Sequence, residues 1–180
     1  MSNLRLVKQI EIESSATDFS FTDLFTTDYN MYKVVINNLT GNCSGTANAF
    51  TYVRAINDSG SVETGTVYAY ASEYFKSNDS LSEQKNNSIN KIEYMFGGVS
   101  DNANTSAVFY VYNPCIAQHT FFQGQSQSVI QSGSGDEYLR GTKFIAVMKN
   151  TDIVTGLHFF DSGTDEIDAG TIRVFGYRVD

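Results

Sequence analysis

The chain has 180 residues, 41% of them hydrophobic, which is enough to bury one core and too few to require two, so we expect a single domain over residues 1–180. Its formal net charge of -8 argues against nucleic acid as a partner, because binding to a phosphate backbone depends on clustered lysine and arginine. No stretch approaches the roughly 20 apolar residues that span a bilayer, and the N-terminus lacks a secretion signal, so we expect synthesis in a cytoplasm and no membrane partner.

Composition favours strands over helices. Aromatic residues make up 13% of the chain, with 13 Phe and 11 Tyr, and such side chains fit a pleated, half-buried surface. Asn, Ser, Thr and Gly take the place of charged residues and are poor helix formers. An all-β protein is therefore expected.

Short apolar or alternating segments follow one another along the whole chain, separated by clusters of Gly, Asn, Asp and Ser. Most alternate between apolar and polar residues, which is typical of strands with one wet face. In chain order, the predicted strands are Leu4–Ile12, Asp18–Thr22, Tyr32–Asn38, Phe50–Ile56, Thr66–Ala71, Ile92–Phe96, Ala107–Tyr112, Thr120–Gln123 with an alternative end at Ile130, Gly141–Met148, Val154–Phe160 and Thr171–Val179.

Two connections carry further predictions. The polar turn at 57–60 indicates that the strands Phe50–Ile56 and Thr66–Ala71 form a hairpin. Residues 72–91 are mostly polar, which predicts a long surface loop, with one helical turn at Ser72–Phe75. Loops of this length are usually functional or contact-making.

The spacing of the strands indicates an antiparallel β-sandwich, jelly-roll-like, with Greek-key crossings. A parallel sheet is not expected, because its crossover connections need a dozen or more residues, usually helical, and the chain has no such stretch.

Histidines and cysteines do not indicate catalysis or metal binding. His119 and His158 lie in strand-like runs without a serine nucleophile motif, so we expect them to face solvent or a polar neighbour. Cys43 and Cys115 are too few for a disulfide framework and lack metal-ligand spacing, although the fold could still bring them together in one bridge. We expect no cofactor.

Four carboxylates, those of Asp161, Asp165, Glu166 and Asp168, fall within one predicted loop. Calcium binds several oxygen ligands from a flexible loop, so a structural calcium site is one interpretation. The spacing does not match the EF-hand pattern, and a solvated acidic turn is the preferred interpretation.

Asp136 and Glu137 are the candidate acid and base of a glycosidase. Adjacent residues of a strand point to opposite faces, so the two carboxylates cannot easily oppose each other across one sugar bond. Surface charge is expected, and the chain is not expected to be an enzyme.

Four tyrosines occupy alternate positions on two strands: Tyr68, Tyr70, Tyr110 and Tyr112. Tyrosine combines a large apolar body with a polar tip, which suits an oligomer interface or stacking on sugars. An ordinary core or a half-wet sheet face is the structural alternative, and the absence of Trp weakens the case for sugar binding.

The last segment of the chain, Gly170–Asp180, has the sequence GTIRVFGYRVD. It resembles the closing strand of virion structural proteins of tailed bacteriophages, especially those of marine cyanobacterial phages, which often reads Gly-x-Ile-x-Val-Tyr-Gly-Leu. This chain has Phe175 and Tyr177 where the group has Tyr and Leu. Further similar segments are Val154–Phe160 before the closing strand and, near the N-terminus, Ser2–Leu6 and Phe21–Phe25 through Tyr32–Val34.

The resemblance implies a non-enzymatic role in the virion, either as a head decoration (cement) protein or as a tail, fibre or spike component. The strand pattern begins by Leu4 and ends at Val179, which leaves no anchor or stalk and favours head decoration. The expected partners are the major capsid protein and further copies of the chain, in a trimer. The alternative is a tail component that binds host glycans through residues 76–90 and exposed tyrosines; a glycan-cleaving enzyme using Asp136 or Glu137 is a third possibility.

Overall fold

Alternating side chains and strand-favouring composition produce an all-strand fold. The computed structural model describes residues 3–42, 49–78, 81–96, 98–99, 104–131, 137–161 and 166–178, and these ranges contain thirteen strands and no helix. The strands are β1 (Leu4–Ile12), β2 (Asp18–Phe21), β3 (Met31–Asn42), β4 (Ala49–Phe50), β5 (Tyr52–Asn57), β6 (Tyr68–Lys76), β7 (Ser82–Ile89), β8 (Gly98–Val99), β9 (Thr105–Tyr112), β10 (Thr120–Gln131), β11 (Glu137–Met148), β12 (Val154–Phe160) and β13 (Glu166–Tyr177).

Eight of these strands form one large sheet in the order β1-β13-β3-β9-β10-β11-β6-β7. A second sheet contains β2, β12 and β5, and the short strands β4 and β8 pair with each other. Every one of these pairings is antiparallel, as the sequence predicted.

The connections follow the pattern of a jelly roll. Strands β1, β3, β9 and β13 of the large sheet alternate along the chain with β2, β5 and β12 of the small sheet. A bridge between Val53 and Ile92 adds one more segment beside β5. Two pairs of consecutive strands, β6 with β7 and β10 with β11, extend the large sheet. The predicted antiparallel, jelly-roll-like sandwich is confirmed.

The core lies between the inner faces of the two sheets. Val34, Phe109 and Val174 of the large sheet are fully buried, and so is Leu157 of the small sheet. Burying one side chain of this size contributes about 1.5 to 3 kcal/mol. The hydrophobic contact between the sheets is therefore the main stabilising term of the fold.

The segment 92–96 covers inner surface that the small sheet leaves open. The ring of Phe96 lies 6.1 Å from that of Phe109 in the large sheet and 6.1 Å from that of Phe159 in the small sheet. Tyr94 stacks on Tyr74 of β6 at 6.4 Å, with the two rings 10° from parallel. The predicted strand Ile92–Phe96 is thus wrong apart from the bridge at Ile92, because its apolar side chains fill the core from a loop.

A buried arginine lies at the far end of the inner face. The guanidinium carbon of Arg140 is 4.0 Å from the ring centroid of Tyr74 and 5.9 Å from that of Tyr94. Burial lowers the pKa of Arg140, and the neighbouring tyrosines oppose that shift. Contact between a cation and aromatic faces offsets part of the cost of removing the charge from water.

The predicted loop at 72–91 is wrong, as is the helical turn within it. The segment contains the end of β6 and all of β7. β7 is an edge strand with polar residues on both faces, and backbone pairing with β6 holds it in place. An edge strand that faces water on both sides shows no apolar alternation, so the hydrophobic pattern could not identify it.

The predicted hairpin between the strands around 50–56 and 66–71 is also wrong. The turn itself is present, with the amide of Gly60 donating to the carbonyl of Asn57 at 3.0 Å. The chain then returns along β5 only as far as Glu63, whose amide donates to Ala55. It crosses to the large sheet instead, where β6 pairs with β11 and β7.

Candidate docking surface

The large sheet has one face turned away from the small sheet, here called the outer face. An unbroken row of apolar side chains crosses six strands at one end of this face. Each member stands directly opposite the next in the strand register. From β13 to β6 the row consists of Tyr177, Met31, Tyr112, Phe121, Val147 and Ala69.

Exposed large apolar side chains concentrate on the outer face. Seven such side chains are exposed in the described part of the chain, and five of them lie on this face: Leu6, Phe75, Phe121, Leu139 and Ile145. Ile145 is 58% exposed and Leu139 is 52% exposed. Single exposed apolar residues are ordinary, but a cluster on one face marks an interaction surface.

The outer face is concave between β9 and β7. A groove of about 770 Å³ runs over Gln123, Ile145 and Lys85. It adjoins a second, more apolar groove of about 920 Å³ that shares these three residues and reaches Val147. A third groove of about 390 Å³ continues to Leu139. We call the three together the trough; at about 3.3 Å per residue, its floor from Leu139 to Val147 is roughly 26 Å long.

Charges in the trough are balanced. Glu73 and Glu83 line its central groove together with Lys85 and Lys143, so the formal charge of the lining is zero in a chain that carries -8. Glu73 and Glu83 stand directly opposite each other across β6 and β7, an arrangement that repels. The trough is therefore not selective for a polyanion or a polycation.

A glycine and an aromatic ring shape one end of the trough. The ring of Phe75 lies over Gly141, where an added Cβ atom would come within 2.2 Å of it. Gly141 thus lets Phe75 lie flat across the neighbouring strand, and half of the Phe75 side chain still faces solvent. Covering an exposed sheet glycine with an aromatic ring stabilises strand pairing.

The four predicted tyrosines divide between the two faces. Tyr68 and Tyr70 are buried on the inner face, so the core interpretation is correct for them. Tyr110 and Tyr112 are half-buried on the outer face, with their ring centroids 6.3 Å apart. Tyr110 also lies 6.2 Å from Tyr177, so three tyrosines form a ladder beside the trough.

His158 lies on the outward face of the small sheet. Its Nδ1 atom is 2.9 Å from Oγ of Ser20 and 4.0 Å from a carboxylate oxygen of Asp18. Both neighbours lie next to the same ring nitrogen of His158, whereas in a Ser-His-Asp triad the serine and the aspartate contact different ring nitrogens. Burial lowers the pKa of His158, Asp18 opposes that shift and Arg54 adds to it.

His119 is exposed beside Phe121, with the ring centroids 6.5 Å apart. Cys115 is a buried free thiol whose pKa burial raises to about 11, which keeps it protonated and unreactive. The thiol donates a hydrogen bond to the carbonyl of Val154, which is consistent with a structural role for Cys115. Cys43 lies outside the described residues.

Two of the four acidic residues that were predicted to share one loop belong instead to a strand. Glu166 and Asp168 belong to β13, where strand pairing places them, and Asp161 is buried at the end of β12. Asp165 lies outside the described residues. Within the part of the chain that the structure describes, no three Asp, Glu, His or Cys side chains come together in a way that could hold a metal ion.

The other predicted carboxylate pair is only half described. Glu137 begins β11, is exposed and stands opposite Gln131. Asp136 lies outside the described residues.

The residues that form the trough floor were not singled out from the sequence. The signal was present in β11, where the run from Phe144 to Met148 is apolar at every position. In an antiparallel sheet, one face packs on the core and the other normally faces water. An apolar residue such as Ile145 at an outward position therefore indicates a second surface that is covered in use.

Within the described ranges, no helix has the length and apolar character needed to cross a membrane. Comparison of the sequence with protein-family models and with curated proteins finds no match.

Proposed function

We propose that this chain is a non-enzymatic structural protein of a tailed-phage virion, a head decoration protein that binds the capsid exterior. The resemblance of Gly170–Asp180 and Val154–Phe160 to phage virion proteins supports the virion location. The observation that carries the proposal is the outer face, where four exposed apolar side chains that line the trough and the apolar row form one docking surface. Its partners are the major capsid protein and further copies of the chain, in a trimer.

Energetics favour many copies over one tight contact. Association costs at least about 4 kcal/mol in lost translational and rotational freedom, while fully covering one exposed Leu or Phe contributes about 1.5 to 3 kcal/mol. A handful of such contacts gives modest affinity for one copy. A repeated shell raises the effective concentration of sites, so the same modest contacts hold a whole layer.

Virions that contain this protein provide the test. We expect antibodies against the protein to label the heads, and quantitative mass spectrometry to give a copy number that is a fixed fraction of that of the major capsid protein. Labelling confined to the tail tip, with only a few copies per particle, would refute head decoration.

A second candidate function is that of a tail component that binds host glycans. The ladder of Tyr177, Tyr110 and Tyr112 favours it, because aromatic faces stack on sugar rings and the neighbouring Gln123 and Gln125 offer amide groups for hydrogen bonds. Retention of the purified protein on host cells, lost in Tyr110→Ala and kept in Tyr29→Ala, would support this function. Equal retention on host and non-host cells would contradict it.

A further inference from the structure

We propose that the trough is occupied by a second copy of this chain, so that the outer face of the large sheet is the surface through which copies associate. This inference rests on the proposed function for its setting in a virion. It adds the identity of the surface and of its occupant, both of which can be tested on the purified protein.

The size of the face fits a stable interface. The six strands from β13 to β6, at about 4.8 Å apart, span about 24 Å, and the trough floor is about 26 Å long, which gives a projected area of roughly 600 Å². Side-chain relief makes the accessible area larger than the projected area. One partner in a standard protein interface contributes about 800 Å², so the outer face is close to the size that a stable complex needs.

Charge also favours a second copy. The chain carries -8, and two copies repel each other wherever their acidic surfaces meet. The lining of the central groove is neutral, so contact there adds no net repulsion between copies. The partner can also relieve the local repulsion between Glu73 and Glu83, which face each other across β6 and β7.

The two sides of the outer face are complementary to each other. Arg173 and Lys33 are diagonal neighbours on the β13 and β3 side of the outer face, where Arg173 stands opposite Val35 and Lys33 stands opposite Phe175. Glu73 and Glu83 lie on the β6 and β7 side, together with Lys85. The β3 side of one copy can therefore attract the β6 side of the next, whether the copies close as a pair or as the trimer proposed above.

The free edges of the large sheet are poor places for copies to join. β1 has a bulge between Leu6 and Lys8 and carries Arg5 and Lys8. β7 is polar and its pairing with β6 shifts register between Tyr68 and Tyr70. Bulges and charged side chains on edge strands oppose the addition of a further strand, which favours the outer face over these two edges for association.

The test compares two isoleucine substitutions in the full chain by sedimentation over a wide range of protein concentration. Ile145→Lys places a charge in the centre of the trough. Ile145 is 58% exposed and does not belong to the buried core, so the substitution should leave the fold intact. Ile116→Lys is the matched control, an exposed isoleucine in the connection between β9 and β10. Circular dichroism and thermal unfolding verify that both variants fold.

We expect the unchanged protein and Ile116→Lys to sediment as the same closed oligomer, and Ile145→Lys to weaken association by about 100-fold or more, since it replaces an apolar contact with a charge that loses its water in the interface. Leu139→Lys, at the other end of the trough, should act in the same direction. A monomeric unchanged protein, or an Ile145→Lys variant that associates as tightly as the control, would overturn the inference.

These outcomes separate the inference from the proposed function. A monomeric protein that labels virion heads would overturn self-association through the trough and leave head decoration standing. An oligomer that Ile145→Lys dissociates, found only at the tail tip, would support the trough as the interface and refute head decoration.

Discussion

The hydroxyl of Tyr68 accepts a hydrogen bond from the backbone amide of Ala55 at 2.9 Å, deep in the core. Tyr68 belongs to the large sheet and Ala55 to the small one, so this bond ties the two layers together where the jelly roll is extended. The same hydroxyl donates to the carbonyl of Glu63 at 3.3 Å. Burial raises the pKa of Tyr68, which keeps the hydroxyl protonated and able to serve both partners.

Removing that hydroxyl should be costly although the ring is kept. Tyr68→Phe leaves the amide of Ala55 without its partner inside the core, and an unsatisfied buried donor costs about 1 to 3 kcal/mol. Urea unfolding should show a lower free energy of unfolding by that amount. Tyr112→Phe, with its ring on the outer face, is the control and should change the value by less than about 0.5 kcal/mol.

Removing a different buried hydroxyl, on the inner face of the large sheet, should raise the stability instead of lowering it. Oγ1 of Thr142 is buried and has no hydrogen-bond partner among the described residues. Thr142→Val keeps the shape and removes the unsatisfied group, so we expect the free energy of unfolding to rise by about 1 kcal/mol and Tm to rise by roughly 2 to 4 °C.

The matched control for Thr142→Val is Thr155→Val, because Oγ1 of Thr155 donates to the carbonyl of Asn57 at 2.9 Å. Calorimetry should show that this change lowers Tm. A rise in Tm for both variants would mean that valine stabilises these strands through packing or strand propensity alone.

Close packing of two strands explains one glycine. A Cβ atom at Gly124 would lie 2.4 Å from Cβ of Phe109 and 2.4 Å from the carbonyl oxygen of Val108. Gly124→Ala should therefore force β9 and β10 apart and cost about 1 to 3 kcal/mol, the usual range for overpacking. Chemical denaturation compared with Gln123→Ala, at the neighbouring exposed position, gives the measurement; equal stability of the two variants would contradict this account.

His158 should make stability depend on pH. Burial lowers its pKa in the folded chain, so as pH falls below the ordinary value of about 6.5 the unfolded state takes up a proton more readily than the folded state. The contribution of His158 is thus fully present above about pH 6.5 and is lost as pH falls.

The free energy of unfolding should therefore decrease between about pH 7.5 and pH 5, and His158→Gln should flatten that slope. An unchanged slope in His158→Gln would show that other groups cause the acid sensitivity.

Sequence patterns were most informative where one face of a strand is apolar and the other is wet. β1 has the predicted bounds, Leu4–Ile12, and β12 has the predicted bounds, Val154–Phe160. β7 was missed because both of its faces meet water, and Ile92–Phe96 was misassigned because a buried loop and a buried strand share an apolar composition. The pairing of β6 with β5 was predicted wrongly, because the residues at 57–60 indicate a turn but do not indicate which strand the chain joins after the turn.

The docking surface was only partly predictable, because local sequence patterns do not report which strands become neighbours. The sequence placed Tyr68, Tyr70, Tyr110 and Tyr112 together as candidate interface residues, but only Tyr110 and Tyr112 lie on the outer face. Alternation along a strand shows which residues share a face and does not show which of the two faces packs on the core. Phe121 of β10 joins Leu139 and Ile145 of β11 only through the register of the two strands, which places it opposite Val147. Such cross-strand neighbours are distant in sequence, so no local pattern connects them.

The most direct test of the central claim is a cryo-electron microscopy map of intact virions that contain this protein, at a resolution that shows the orientation of the sandwich. The account predicts copies at regular positions on the head, with the outer face of the large sheet in contact with a neighbouring copy. Copies found only at the tail tip, or a trough that faces solvent on every copy, would contradict it.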